Sequence, residues 1–352
     1  MKIALINSLG KDRTFASKIF EKLRGLGADV TLIHTHLLPQ AESENVKFIK
    51  PAYFPVMRQK LNEAFHFPKH IPEGYDVYGI TNQNIANYMK YIRKPKVLTV
   101  HHINPKSASI NDFISRIQMG NFRLADRIIA ISEHTKKDLV QKFKIPPEKI
   151  RVVYHGVDDR SFYPMEKEAC KKELGFENKT VVLNVGTEEP RKNIDVLLKS
   201  FYIARQKLSN IVLVRVGPKS EKSAKLIEKL GLEKDVIYLP FQEEESLARI
   251  YSAADVFVMP TSYEGFGLTA LEAMKCGTPV VCSNAASMPE VVGDAAIKLE
   301  PWDIEGYSRE IANVLASESL SSDMIRKGIE QAKKFSWEKC ARETLEVYEG
   351  LK

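Results

Sequence analysis

The sequence predicts an α/β chain folded as two doubly wound domains, each a parallel sheet with helices on both faces. Three observations carry this. The 352 residues are enough for two domains of ordinary size. Short apolar runs rich in β-branched residues alternate with helix-length segments, the strand–helix–strand repetition of parallel sheets. A charged segment just after Pro164 interrupts that alternation before it resumes.

The elements follow in order. KIALIN (2–7) reads as the first strand, because the N-terminal apolar run is too short for a signal peptide and has no cleavage-like site. A helix is expected over 12–25, then strand ADVTLIH (28–34). KVLTVHH (96–102) is the next strand, and a long polar connection separates it from the one after. DRIIAIS (126–132) and a helix over 134–143 follow, and KIRVVYHGVDDRSFYP (149–164) ends the first set. MEKEACKKELGFENK then leads to KTVVLNVG (179–186), NIVLVRVG (210–217), DVIYLP (235–240), ADVFVMP (254–260) and TPVVCS (278–283). Helices are expected over 192–207, 221–230, 244–253 and 267–276. The domain boundary is placed near Pro164, giving domains 1–164 and 165–336, with no internal repeat.

Composition narrows the class. The chain is 44% hydrophobic and 28% charged, normal for a globular core, and no run approaches the ~20 apolar residues of a membrane span. Cys170, Cys276, Cys282 and Cys340 show no CxxC spacing, which argues against a disulfide framework or zinc site and fits a reducing cytoplasm. No third ligand joins the pairs His34/His36 or His101/His102, so no metal is expected. Residues 1–165 hold 26 Lys+Arg against 15 Asp+Glu, the remainder 26 against 30. A basic first half points to an anionic membrane surface or acceptor. Nucleic acid is disfavoured, because no recognition motif or aromatic platform accompanies the charge.

The chemistry concentrates in the second half. After strand ADVFVMP the chain reads YEGFGLTALEAM (263–274). Gly265 and Gly267 let the backbone approach a ligand, and the helix start offers free N–H groups to a phosphate. Glu272 lies about 7–8 Å along the helix axis from Gly267, roughly the reach from a diphosphate to a ribose. Glu264 lies before the helix, where its carboxylate could accept sugar hydroxyls. A second cluster, VGTEEPRKN (185–193), sets Arg191 and Lys192 at an expected helix start. Cations are disfavoured there by the dipole, so an anion is expected nearby. Alone, that pair reads equally well as surface charge.

These strings carry a resemblance. Residues 263–274 resemble the paired-glutamate signature of glycosyltransferase family 4, the retaining nucleotide-sugar transferases of GT-B fold. HGVDDRSFYP (155–164) is similar to that family's inter-domain crossing, and VGTEEPRKN to its diphosphate loop. AMKCGTPVVCSNAASMPEVVGDAA (273–296) resembles the strand and loop after the signature helix, and FSWEKCARETLEVYEGL (335–351) the terminal helix that crosses back to the first domain. The resemblance implies two Rossmann-like domains facing a cleft, with 337–352 returning to the first. It implies that Glu264 binds donor-sugar hydroxyls and that Gly265, Phe266, Gly267, Leu268 and Thr269 hold sugar and phosphate through their backbone. Glu272 would hold the ribose, Arg191 and Lys192 would neutralise the departing diphosphate, and His101 would stand near the reacting sugar. Gly10 is a further donor-binding candidate, although SLGKD offers one glycine where many members have two. Thr187 stands where an arginine is frequent, Asn193 where glycine is common, and His155 where asparagine is frequent. The nucleobase is expected near 216–219 and 240–241.

The implied activity is transfer of a hexose from GDP-mannose or a UDP-hexose, without cofactor or metal, to a lipid-linked or surface-glycan acceptor. The location implied is cytoplasmic, with a peripheral position at the inner membrane face. The alternatives are a soluble sugar or sugar-phosphate acceptor, or a non-catalytic nucleotide-sugar-binding subunit. Segments 52–67 and 109–127, which mix apolar and basic residues, are the membrane-facing candidates.

Overall fold

The structure is a computed structural model that describes residues 1–8, 15–35, 44–49, 62, 66–103 and 120–351. The chain forms two compact units, Met1–Gly156 with Trp337–Lys352, and Val157–Ser336.

The first unit contains β1 (Lys2–Asn7), α1 (Phe15–Gly25), β2 (Asp29–His34), β3 (Val46–Phe48), β4 (Val77–Ile80), β5 (Lys96–Val100), β6 (Arg127–Ala130), α2 (Glu133–Phe143) and β7 (Ile150–Val152). Its sheet has the order β3-β2-β1-β4-β5-β6-β7, every pairing parallel. β1 and β2 are buried at every position after the first, as strands covered on both faces must be. Ser132 starts α2 by accepting the Thr135 N–H at 3.0 Å, and Lys144 ends it in the left-handed region.

The second unit contains α3 (Lys167–Glu173), β8 (Thr180–Val185), α4 (Ile194–Arg205), β9 (Ile211–Val216), α5 (Glu221–Leu230), β10 (Val236–Leu239), α6 (Glu244–Ala253) and β11 (Val256–Met259). It continues through α7 (Leu268–Lys275), β12 (Val280–Ser283), α8 (Met288–Val292), β13 (Ala296–Leu299), α9 (Ile304–Ala316) and α10 (Glu318–Ala332). Its sheet runs β10-β9-β8-β11-β12-β13, again all parallel. Strand order reverses between β8 and β11, and between β1 and β4 in the first unit. Those are the topological switch points of doubly wound sheets, beyond whose carboxyl ends ligands bind.

The final helix, α11 (Trp337–Glu349), belongs to the first unit. Trp337, Cys340, Ala341 and Tyr348 share a core with Ile3, Leu5, Leu23 and Val77. Lys22 pairs with Glu338 at 2.5 Å.

The expected boundary near Pro164 needs correction. Residues 157–164 lie with the second unit, because their contacts are there. The Val157 N–H donates to the Phe335 carbonyl at 3.2 Å. Lys275 pairs with Asp159 at 2.5 Å, Ser161 donates to Glu244 at 2.7 Å, and Phe162 packs edge-on against Tyr251.

Candidate active site

Both chemical clusters meet at the switch point of the second sheet. β8 ends at Val185 and leads to Arg191 and Lys192; β11 ends at Met259 and leads to Glu264. The two loops are tied together. The Ser262 N–H donates to the Arg191 carbonyl at 2.7 Å, and Arg191 Nη1 donates to the Tyr263 carbonyl at 3.1 Å. Asn193 Nδ2 donates to the Pro260 carbonyl at 2.8 Å.

Arg191 and Lys192 do not begin α4, as the sequence had led us to expect. They occupy a separate 3-10 turn, Pro190–Lys192, and Asn193 intervenes in the left-handed conformation (φ 51°). Asparagine tolerates that region, which explains how it can stand in a glycine position. Among the described residues, the carboxylate beside both cations is Glu264. Its Oε1 lies 2.5 Å from Lys192 Nζ, 3.0 Å from Arg191 Nη1 and 3.2 Å from the Thr261 hydroxyl. Burial alone would lower the Arg191 pKa, but Glu264 and Glu189 outweigh it and raise it. Glu189 also meets Arg191 at 2.9 Å.

At the start of α7, Gly267 has φ 109°, and a Cβ there would come within 2.8 Å of Met288 Sδ. Glycine is therefore required twice over. Gly265 is buried, and Phe266 packs its ring against Phe335 at 5.7 Å, so what Phe266 can offer a ligand is backbone. Leu268 and Thr269 follow as the first helical residues, whose N–H groups have no intrahelical acceptor. Ser287 fixes this loop from behind, donating within reach of the Glu264 carbonyl (3.0 Å) and the Phe266 carbonyl (2.9 Å). Glu272 is half-buried, and its Oε2 accepts from the buried Tyr251 hydroxyl at 2.9 Å. Burial, then the Glu272 charge, pushes the Tyr251 phenol well up, so it remains a proton donor.

Sequence reasoning missed several supporting residues: Asn193, Thr261, Tyr251, Ser287 and a network around Glu188. Glu188 accepts from Ser220 N (2.9 Å), Ser223 (2.7 Å) and Tyr238 (2.6 Å). Burial would raise its pKa, yet these hydrogen bonds hold it below the usual carboxylate range. Arg215, fully buried, bonds Asn184 and the Gly186 carbonyl. The signal was available: an arginine inside the apolar run NIVLVRVG demands buried partners.

His101 lies in the first unit, just beyond β5. Its Nε2 is 2.7 Å from the Thr81 carbonyl, and its N–H donates to Gln83 at 3.0 Å. Since a carbonyl only accepts, Nε2 carries the hydrogen. Burial against Phe15 and His155 depresses its pKa to about 4, leaving a neutral ring at pH 7. Gly10, most of 52–67 and residues 109–119 lie outside the described residues. Among the described residues no cluster of His, Cys, Asp or Glu is arranged to hold a metal ion, and no helix is long and apolar enough to cross a membrane. The four cysteines are free and buried, and burial raises each thiol pKa.

Residues 166–331 match the sequence model of "Glycosyl transferases group 1", and residues 14–161 that of "Glycosyltransferase Family 4". Between them the two matches cover most of the chain. The chain belongs to the group 1, family 4 glycosyltransferases. Within that family it is 35% identical over 236 residues to the O-antigen chain mannosyltransferase B of Escherichia coli, covering 64% of this chain and 61% of that protein. It spans about half the length of other curated relatives it matches. Among solved structures, sucrose-phosphate synthase (tll1590) from Thermosynechococcus elongatus aligns with TM-score 0.84 at 21% identity, covering 99% of this chain and 98% of that one. Anabaena Alr3699/HepE in complex with UDP-glucose aligns with TM-score 0.79 at 19% identity, covering 99% and 100%. The fold is thus GT-B, as the sequence led us to expect.

Proposed function

We propose that the protein is a retaining glycosyltransferase that moves a hexose from a nucleoside-diphosphate sugar to an acceptor hydroxyl. The observation that carries this is the meeting of Arg191, Lys192 and Glu264 at the β8/β11 switch point, beside the N-terminus of α7. The two cations and the helix start suit a diphosphate, and they bring the positive charge that a divalent ion would otherwise supply. Glu264 offers acceptors to sugar hydroxyls, and Glu272, steadied by Tyr251, to the ribose. In the proposed step the acceptor oxygen bonds to the anomeric carbon from the face the phosphate leaves. The carbon–phosphate-oxygen bond breaks, and the acceptor proton passes to the departing phosphate oxygen. The chain's contribution is orientation and charge stabilisation.

The kinship with an E. coli mannosyltransferase favours GDP-mannose among donors and a lipid-linked or surface glycan among acceptors. UDP-hexoses, soluble sugar phosphates and a non-catalytic binding role are the competing readings. The excess of 26 basic over 15 acidic residues in 1–165 favours an anionic acceptor or membrane face for the first unit. His101 is proposed to serve as a neutral polar group toward the sugar, not as an acid. Thermal shift with GDP, UDP and ADP, followed by release of nucleoside diphosphate from the matching sugars, tests the reading. Lys192→Ala and Glu264→Ala should each fold and lose about 10²–10³ in turnover. Full activity in either variant would remove the site assignment.

A further inference from the structure

The proposed donor site already holds an anion, and that anion is part of the chain. Among the described residues, three donors to Glu264 converge on one oxygen: Lys192 Nζ at 2.5 Å, Arg191 Nη1 at 3.0 Å and Thr261 Oγ1 at 3.2 Å on Oε1. The groups are largely withdrawn from water, with side-chain exposures of 10% for Glu264, 13% for Lys192 and 21% for Arg191. The same two cations are the ones a diphosphate would need. We propose that Glu264 is an internal counter-ion that occupies the diphosphate-binding cations until a donor displaces it, so that the carboxylate becomes an acceptor for sugar hydroxyls only once the diphosphate has docked.

This rests on the donor-site reading above and adds an order to it. The backbone has no need to move. The Glu264 carbonyl is held by Ser287 at 3.0 Å, and the Arg191 carbonyl is held by Ser262 N at 2.7 Å. Displacement is therefore a rotation of the Glu264 side chain on a fixed loop. An oxygen crowded by two cations and a hydroxyl is a poor acceptor for a further hydroxyl. Once phosphate oxygens take over Lys192 and Arg191, its lone pairs are released. A free sugar lacking a diphosphate meets Oε1 already engaged by both cations, which makes the site favour the sugar and the diphosphate together. After transfer, return of Glu264 to the cations competes with the remaining nucleoside diphosphate and favours its release.

Removing one partner of a desolvated pair leaves the other charge uncompensated. Glu264→Gln keeps the shape and removes the charge, so it should leave the cations open to an incoming anion. Calorimetric titration with GDP and UDP is the test, on wild type, Glu264→Gln, Lys192→Gln and the double variant. Whichever nucleotide wild type binds should bind Glu264→Gln about tenfold more tightly, although that variant turns over poorly. Lys192→Gln should bind more weakly, and in its background the gain from Glu264→Gln should shrink, the signature of a shared interaction. Glu264→Asp, with a shorter reach to Lys192, should show an intermediate gain and serves if the glutamine variant folds poorly. Equal or weaker nucleotide binding by both Glu264 variants, with wild type binding normally, overturns the counter-ion role and leaves the donor site standing. Failure of wild type to bind either nucleotide removes both.

Discussion

At the residue scale, the candidate side chains stood out in the sequence because their types are unusual for their positions. Cations at an expected helix start are disfavoured by the dipole, and two glutamates spaced around a glycine pair stand out as a pattern. Their mutual pairing was not legible, since Lys192 and Glu264 are 72 residues apart and meet only through sheet order. Asn193 is the clearest case of a role hidden in sequence. It supplies a left-handed turn and, through Nδ2, ties the cation loop to Pro260 at 2.8 Å and Pro301 at 3.4 Å. Two substitutions separate these tasks. Asn193→Gly keeps the backbone conformation and loses the ties, so it should cost about 1 kcal/mol in urea unfolding and raise the donor KM several-fold. Asn193→Ala loses both and should cost about 2–3 kcal/mol. Equal stability of the two variants would show that the backbone conformation is unstrained. Tyr251→Phe removes the donor to Glu272. It should raise the donor KM about three- to tenfold and leave kcat nearly unchanged, checked by steady-state kinetics over a donor series.

At the element scale, apolar runs were readable whether six residues long, as in β1, β8 and β9, or four, as in β6, β10, β11 and β12, whereas β3, β4 and β13 were not. β4 reads VYGI, with a glycine that sequence rules count against a strand. That glycine is needed: a Cβ on Gly79 would lie 2.8 Å from Leu5 and run into the Tyr348 hydroxyl of α11. β13 is half-buried at all four positions, so its apolar signal is weak. α3 read only as a charged segment. Its lysines turn out to have a specific partner, Asp255, which accepts from Lys171 at 2.9 Å, Lys167 at 3.2 Å and Val181 N at 2.8 Å. Lys171 is itself buried. Asp255→Asn keeps the shape and strips the charge from this junction of α3, β8 and β11. It should destabilise the second unit by about 2–4 kcal/mol in urea unfolding, with no change in m-value. A loss below 0.5 kcal/mol would show that the junction behaves like an exposed ion pair.

At the scale of the whole molecule, the chain ends by returning to the unit in which it began, and two histidines pack at the seam of that return. His155, just ahead of the crossing into the second unit, stacks on Phe15 at 4.9 Å and packs against Trp337 of α11 at 5.5 Å; its ring lies 5.2 Å from His101. Burial pushes the His155 pKa well below its usual value, and neighbouring His101 pushes it further. His101 is depressed by burial from 6.5 to about 4. Both rings are therefore neutral in the folded chain at pH values where the unfolded chain already binds protons. By linkage, stability rises with pH wherever the unfolded state holds more protons. The contribution is complete above about pH 6.5, and it is lost as pH falls from there toward 4. For His101 alone the loss amounts to at most about 3 kcal/mol. Urea unfolding between pH 7.5 and 4.5 should show the first unit weakening before the second. His155→Asn should flatten that slope by removing one of the two rings. A first-unit stability that stays level across this range would mean that both histidines accept protons without disturbing the packing of Phe15 and Trp337.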